Sequence, residues 1–257
     1  MADQPDTPLR GDAPGLALAA DVRAAGRAVG LITTTARLVL AHRLAPGAGP
    51  AALAARARRT ARRLLDLHGV DVGSAGRPPS APAVLVTNHV SYLDPLAVAS
   101  VVPCIAIAKR DTLDWPLIGG GLRALGVLFV RRGDAHSGAV ALRRALRALG
   151  AGATVLNFPE GTTGEGRALG GFQRGVFGLA RIARVPIVPG HVSYDDPRVH
   201  WFGAAPFAPH YWRLSRNPRV GALVRFGEPL AARADEDAAS LAARARAAVD
   251  ALGRHSR

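Results

Sequence analysis

Cysteine is almost missing from this chain: Cys104 is the only one in 257 residues. That excludes an intramolecular disulfide and a cysteine-built zinc site. It stands in the apolar run "VASVVPCIAIA" and reads as a buried, inert thiol. Aromatic residues are scarce at 5%, and no basic stretch is interleaved with them, so the stacking platform of a single-strand nucleic-acid binder is lacking. There is no Gly-x-Ser-x-Gly elbow for a serine hydrolase and no His-Glu-x-x-His for a zinc hydrolase. Neither a metal nor a resident cofactor is expected. Long apolar runs are missing too. The best one, "AVGLITTTARLVLA" at 28–41, carries Arg37 and falls short of the ~20 residues that span a bilayer. The first residues, "MADQPDTPLRGDAPG", lack the basic-then-apolar order of a signal peptide, and a cytoplasmic compartment is expected.

Lysine is as rare as cysteine. Lys109 stands alone, so arginine supplies nearly all of the 33 basic residues set against 19 acidic ones, a formal charge of +14. Such a surface prefers a polyanion. With aromatics so few, anionic membrane lipid is the expected partner rather than nucleic acid. The 28–41 stretch, flanked by Arg27 and Arg43, has two open readings. It lies in the membrane interface with its arginines reaching headgroups, or it is an ordinary helix packed on the domain.

What is plentiful is alternation. Helical patterning runs from Ala19 to Leu44 and from Ala51 to His68, and "VGSAGRPPSAP" at 72–82 then breaks it. Beyond, apolar β-branched runs ("AVLVT", "CIAIAK", "VLFVR", "ATVLNF", "VPIVPGHV", "VGALVRFGEPL") mostly alternate with helical ones ("PLAVASVV", "LIGGGLRALG", "SGAVALRRALRAL", "FGLARIAR"), and the chain closes on a helix from Asp235. The expectation is an α/β fold, a mainly parallel sheet flanked by helices with an N-terminal helical membrane-associating region. Residues 1–15 are read as a disordered tail, 16–71 as the N-terminal region and 72–257 as the α/β domain.

Four patches in or behind strand candidates hold polar chemistry, and strand ends are where α/β sheets build sites. In "NHVSYLDP", Asp94 followed by Pro95 suits a helix start. The same aspartate can instead turn back on His89, fix its tautomer and leave the other ring nitrogen as a general base. In "GVLFVRR", Arg131 and Arg132 are solvated surface or a bidentate anion clamp. "NFPEGTTGEG" puts Glu160, Gly161 and Thr162 in a turn rich in backbone N–H groups. "VPIVPGHV" has two prolines around a short strand, which fits a sheet edge or a pinned loop.

Taken in order, these blocks resemble the glycerolipid acyltransferase family, typified by 1-acylglycerol-3-phosphate acyltransferases. The matching residues are His89 and, five positions on, Asp94; Gly126 to Arg132; Phe158-Pro159-Glu160-Gly161-Thr162; and Val185-Pro186-Ile187-Val188-Pro189, over roughly residues 65 to 230. The resemblance implies that His89, oriented by Asp94, deprotonates an acceptor hydroxyl that attacks an acyl thioester. It implies acceptor binding by Arg132, Glu160, Gly161 and Thr162, with Lys109 and Arg131 beside them. The donor would be acyl-CoA or acyl carrier protein, and the acceptor a lysolipid, first of all 1-acyl-sn-glycerol-3-phosphate giving phosphatidic acid. The setting would be the cytoplasmic face of the cell membrane, held peripherally or monotopically. One position departs. Many phosphate-acceptor members have arginine where this chain has Thr163, and "FPEGTT" is similar to the subgroup that acylates lyso-ornithine lipid. A non-catalytic basic membrane- or nucleic-acid-binding protein would explain the charge, but it leaves the four ordered motifs as coincidence.

Overall fold

The structure is a computed structural model that describes residues 14–254 apart from 81 and 117. Most of the stretch read as a disordered tail, residues 1–13, lies outside the described residues. Helices α1 (Pro14–Leu44) and α2 (Pro50–His68) come first, followed by β1 (Val70–Ala75), β2 (Val84–Thr87), α3 (Asp94–Val101) and β3 (Cys104–Lys109). Next are α4 (Ile118–Ala124), β4 (Leu128–Val130), α5 (Ala135–Gly150), β5 (Thr154–Asn157) and α6 (Gly175–Ala183). The chain ends with β6 (Ile187–Tyr194), α7 (Phe207–Arg216), β7 (Val220–Phe226) and α8 (Ala238–Arg254).

The strands form one sheet in the order β1-β7-β6-β2-β5-β3-β4. Every pairing is parallel except β6 with β7, so the expected mainly parallel α/β sheet is what the chain builds. Strand β2, at the centre of the sheet, is buried on both faces, with Val84 to Thr87 all buried, as a parallel strand covered by helices must be. Side chains alternate across the sheet. Val84, Val86 and Val155 join the core under α5, α6 and α8, while Leu85, Leu156 and Val188 join the core under α2 and α3. Cys104 lies in that second core, and burial pushes its thiol up to about 12. It is the inert thiol expected.

Four sequence expectations need correction. Strand β1 occupies residues read as the end of a helical region and the start of a break, and pairs in register with β7 from Val70↔Val220 to Ala75↔Arg225. Helix α7 was not read as a helix. Strand β6 is interior, between β7 and β2, and not an edge. Pro189 is tolerated because the antiparallel ladder to β7 begins only at Gly190, so its missing N–H breaks no bond to that neighbour. Arg27 does not reach outward. It is buried, and its guanidinium donates to the carbonyls of Leu67, Ser215, Asn217 and Pro218. It thereby satisfies carbonyls left open at the ends of α2 and α7.

Those bonds tie α1 to the domain, where it packs on α2, α4 and α7. Its outer side stays apolar and uncovered: Leu16, Leu18, Val22, Val29, Ile32, Leu40 and Leu44 are all exposed. The helix is thus packed on the domain along one side and leaves apolar side chains uncovered along the other. No helix among the described residues is long and apolar enough to cross a membrane.

Candidate active site

Strands β2, β5, β3 and β4 are parallel neighbours, so their C-terminal ends share one edge. That edge gathers His89 beyond β2, Glu160 and Gly161 beyond β5, Lys109 at the end of β3, and Arg131 and Arg132 beyond β4. Residues read as separate patches thus converge by topology.

The loop after β2 is clamped before it reaches the histidine. The Asn88 amide donates to the Val192 carbonyl at 2.9 Å and accepts from the Val192 N–H at 2.8 Å. His89 follows, its ring stacked on Phe158 with centroids 4.1 Å apart. Its backbone N–H donates to Glu160 Oε1 at 2.9 Å, and its carbonyl accepts from the Gly164 N–H at 2.8 Å. With main chain and ring both held, the imidazole has little freedom to turn.

Nδ1 of His89 lies 2.7 Å from Asp94 Oδ2, and the aspartate side chain is 0% exposed. The same oxygen accepts from the backbone N–H groups of Val90 at 2.7 Å and Ser91 at 2.9 Å, while Oδ1 accepts from the Tyr194 hydroxyl at 2.8 Å. This decides between the two roles open for Asp94. It begins α3, but its carboxylate bonds groups upstream of the helix, and the cap position, Leu93, makes no side-chain cap bond. The aspartate orients the histidine, its Nδ1 donates, and Nε2 is left without a hydrogen bond among the described residues. A neutral imidazole held this way can accept a proton at Nε2 and keep the resulting cation against a buried carboxylate.

Glu160 has both oxygens turned to the backbone, one to His89 N–H and the other to Gly170 N–H at 2.8 Å. Gly161 has φ +74, and a Cβ there would lie 3.8 Å from two guanidinium nitrogens of Arg132. Arg132 therefore lies over the Gly161 turn, exposed and with no hydrogen bond or ion pair to a described residue. Lys109 is paired with Asp111, and that bond holds the Asp111 carboxyl below the usual range. Arg131 and Thr162 are exposed at the same rim.

Beside His89 is a cavity of about 190 Å³ lined by His89, Glu160, His191, Tyr194, His200 and Asp250, among others. Burial, helped by the nearby Arg225 charge, pushes His191 down to about 4, so it is neutral at ordinary pH, and its Nδ1 is buried without a partner among the described residues. His210 is buried too, with Nε2 facing the carbonyls of Arg198 and His200. That makes Nε2 the donor, and Nδ1 then accepts from the Tyr92 hydroxyl at 3.1 Å. Phe158, Tyr194 and the clamp on Asn88 were missed as site residues. Phe158 stood in a quoted motif, and Tyr194 lies two residues beyond the quoted "VPIVPGHV", a stretch for which no site role was read.

A family model described as Acyltransferase matches residues 70–193. The lyso-ornithine lipid O-acyltransferase of Pseudomonas aeruginosa is 32% identical over 184 residues, covering 70% of this chain and 70% of that protein. The chain belongs to the glycerolipid acyltransferase family. It is an acyltransferase, similar also to the human 1-acyl-sn-glycerol-3-phosphate acyltransferase alpha, with 41% identity over 139 residues, 51% of this chain and 48% of that one. The crystal structure of the 1-acyl-sn-glycerophosphate acyltransferase from Thermotoga maritima superposes with a TM-score of 0.65 at 20% identity, covering 93% of this acyltransferase and 95% of that chain. That match speaks to the fold.

Proposed function

We propose that this acyltransferase moves a fatty acyl group from a thioester, acyl-CoA or acyl carrier protein, to the hydroxyl of a lysolipid. The observation that carries the reading is the His89–Asp94 pair at 2.7 Å, with Nε2 unengaged on the edge that also presents Arg132. In this scheme Nε2 takes the proton of the acceptor hydroxyl as its oxygen attacks the thioester carbonyl. The tetrahedral oxyanion is met by backbone N–H groups near the Glu160–Thr162 turn. Its collapse expels the thiolate, which takes the proton back from the imidazolium. Glu160 braces the turn, and Arg132 receives the headgroup, with Lys109 and Arg131 adding positive charge. No metal or resident cofactor takes part in this scheme.

The first acceptor reading is 1-acyl-sn-glycerol-3-phosphate, giving phosphatidic acid, because a guanidinium fork suits a phosphate. Lyso-ornithine lipid is the second. Thr163 favours it, since no second guanidinium stands in the motif itself, and so does the name of the Pseudomonas relative. Initial rates of acylated product with each acceptor, on both donors, decide the matter. The first reading expects the phosphate acceptor to win by at least tenfold in kcat/KM. The reverse order transfers the assignment to lyso-ornithine lipid, and no product with either contradicts both.

We infer further that the enzyme rests on the cytoplasmic face of an anionic membrane, peripherally or monotopically, through α1. Of the nine exposed large apolar side chains among the described residues, seven are on α1. Leu18, Val22, Val29 and Leu40 recur at helical spacing along one stripe, and the exposed Arg37 and Arg43 beside it add about 1 kcal/mol each near anionic lipid. Co-sedimentation with vesicles of anionic phospholipid is the check. The Leu18→Glu, Val29→Glu, Leu40→Glu triple variant is expected to lose at least tenfold in partitioning. Unchanged partitioning would remove α1 from the membrane contact.

A further inference from the structure

We propose that Tyr194 is a positioning residue of the acyl transfer, holding Asp94 through its hydroxyl so that the carboxylate keeps His89 in its productive tautomer and orientation. The inference rests on the reading of His89 as the base.

The two oxygens of Asp94 are unequally served. Oδ2 takes three N–H donors, whereas Oδ1 has one partner among the described residues, the Tyr194 hydroxyl at 2.8 Å. With the carboxylate 0% exposed, water offers Oδ1 no replacement, and a buried charged acceptor without a donor is strongly disfavoured. Burial first, and then the Asp94 charge and the hydrogen bond to it, push the Tyr194 phenol well above its ordinary value. It is therefore the donor in this bond.

The hydroxyl is delivered by a rigid element. Tyr194 closes β6, an interior strand, and pairs with Ala222 of β7. Two residues earlier the same strand clamps Asn88 through Val192. Strand β6 thus holds the His89 loop at both ends, Asn88 by its amide and Asp94 by its carboxylate. The ring packs among apolar neighbours, a place that phenylalanine fills equally well, so the hydroxyl's one partner among the described residues, Asp94, is what distinguishes tyrosine there. The family match ends at residue 193, one position short of it.

Tyr194→Phe removes the bond and keeps the ring. Tyr92→Phe is the control, since it also deletes a buried hydroxyl from the same neighbourhood, but one bonded to His210. Two readouts separate positioning from bulk stability: the kcat-against-KM split, and the low-field imidazole proton signal of His89 Nδ1–H, identified by its absence in His89→Ala. Tyr194→Phe is expected to lower kcat about ten- to a hundredfold at unchanged acceptor KM. It should also move the His89 signal downfield, because a carboxylate relieved of one donor accepts more strongly from the other. Tyr92→Phe should move neither. Fluorotyrosine in place of all three tyrosines strengthens the donor without deleting it and should shift the signal upfield, which covers the case of a Phe variant that folds poorly. A Tyr194→Phe enzyme with wild-type kcat overturns the proposal. So does a His89 signal that ignores both changes, or a Tyr92→Phe enzyme that loses as much kcat. Retention of transfer by His89→Ala would instead defeat the base reading, while the imidazole signal still reports on Tyr194.

Discussion

His89→Ala is expected to lower acceptor-dependent thiol release by about a hundred- to ten-thousandfold, the range over which a positioned general base accelerates proton transfer. The fold should survive. The ring is 20% exposed and stacks on Phe158, so its removal opens space near solvent and leaves the sheet core untouched. Asp94 keeps three of its four donors, from Val90, Ser91 and Tyr194. The backbone bonds of residue 89 to Glu160 and Gly164 do not depend on its side chain. A melting curve close to wild type beside a collapsed kcat is the expected pair of results. Equal losses of both would mean that the histidine is structural, and retained activity would mean that another group takes the proton.

Asp94→Asn should cost nearly as much activity by a different route. Oδ2 faces three N–H donors, so the amide is forced to keep its oxygen there and to turn its NH₂ toward Tyr194, whose hydroxyl can rotate to accept. The geometry is largely preserved and the charge is gone. The imidazolium that forms during transfer then lacks its counter-charge, and kcat is expected to fall about a hundredfold or more. Stability should change little. Asp94→Ala makes the contrast: it strands buried N–H groups and a buried hydroxyl, and should cost about 3–5 kcal/mol in denaturant unfolding. If the Asn and Ala variants are equally unstable, the carboxylate is a structural strut and its charge does not serve the histidine.

The parts of the fold legible in sequence were those with a dense apolar β-branched run or a full helical stripe. Strands β2, β3 and β5 sit inside the parallel half of the sheet and read as apolar β-branched runs. Strand β1 is an edge strand, "VDVGSA", with only Val70 buried, and that composition is indistinguishable from a turn. Helix α7, "FAPHYWRLSR", sets Phe207, Tyr211 and Leu214 at helical spacing, but it is only ten residues long and carries Pro209 in its first turn, which breaks the pattern as read from sequence. Arg27 was misread because an arginine between apolar residues usually reaches outward. Its burial depends on carbonyls near residues 67 and 215–218, which a helix read by itself cannot reveal.

The same divide runs through the site. His89 and Asp94 lie five residues apart, close enough for the motif to carry their partnership. Arg132 beside Gly161 could be supposed only from the order of motifs, since the sheet itself brings β4 and β5 to a common edge. Tyr194 is 100 residues from Asp94, and the strand it ends was read as an edge or a pinned loop. Once β6 is seen to lie beside β2, the tyrosine falls onto the aspartate.

The central claim is that this edge transfers an acyl group to a lipid hydroxyl rather than to water. The direct measurement is the ratio of thiol released to acylated lipid formed by the wild-type enzyme, with thiol followed by colour and lipid by mass spectrometry. The account predicts one ester for each thiol, with thiol release near background when the acceptor is omitted. Thiol release that ignores the acceptor and accumulates as free fatty acid would contradict it.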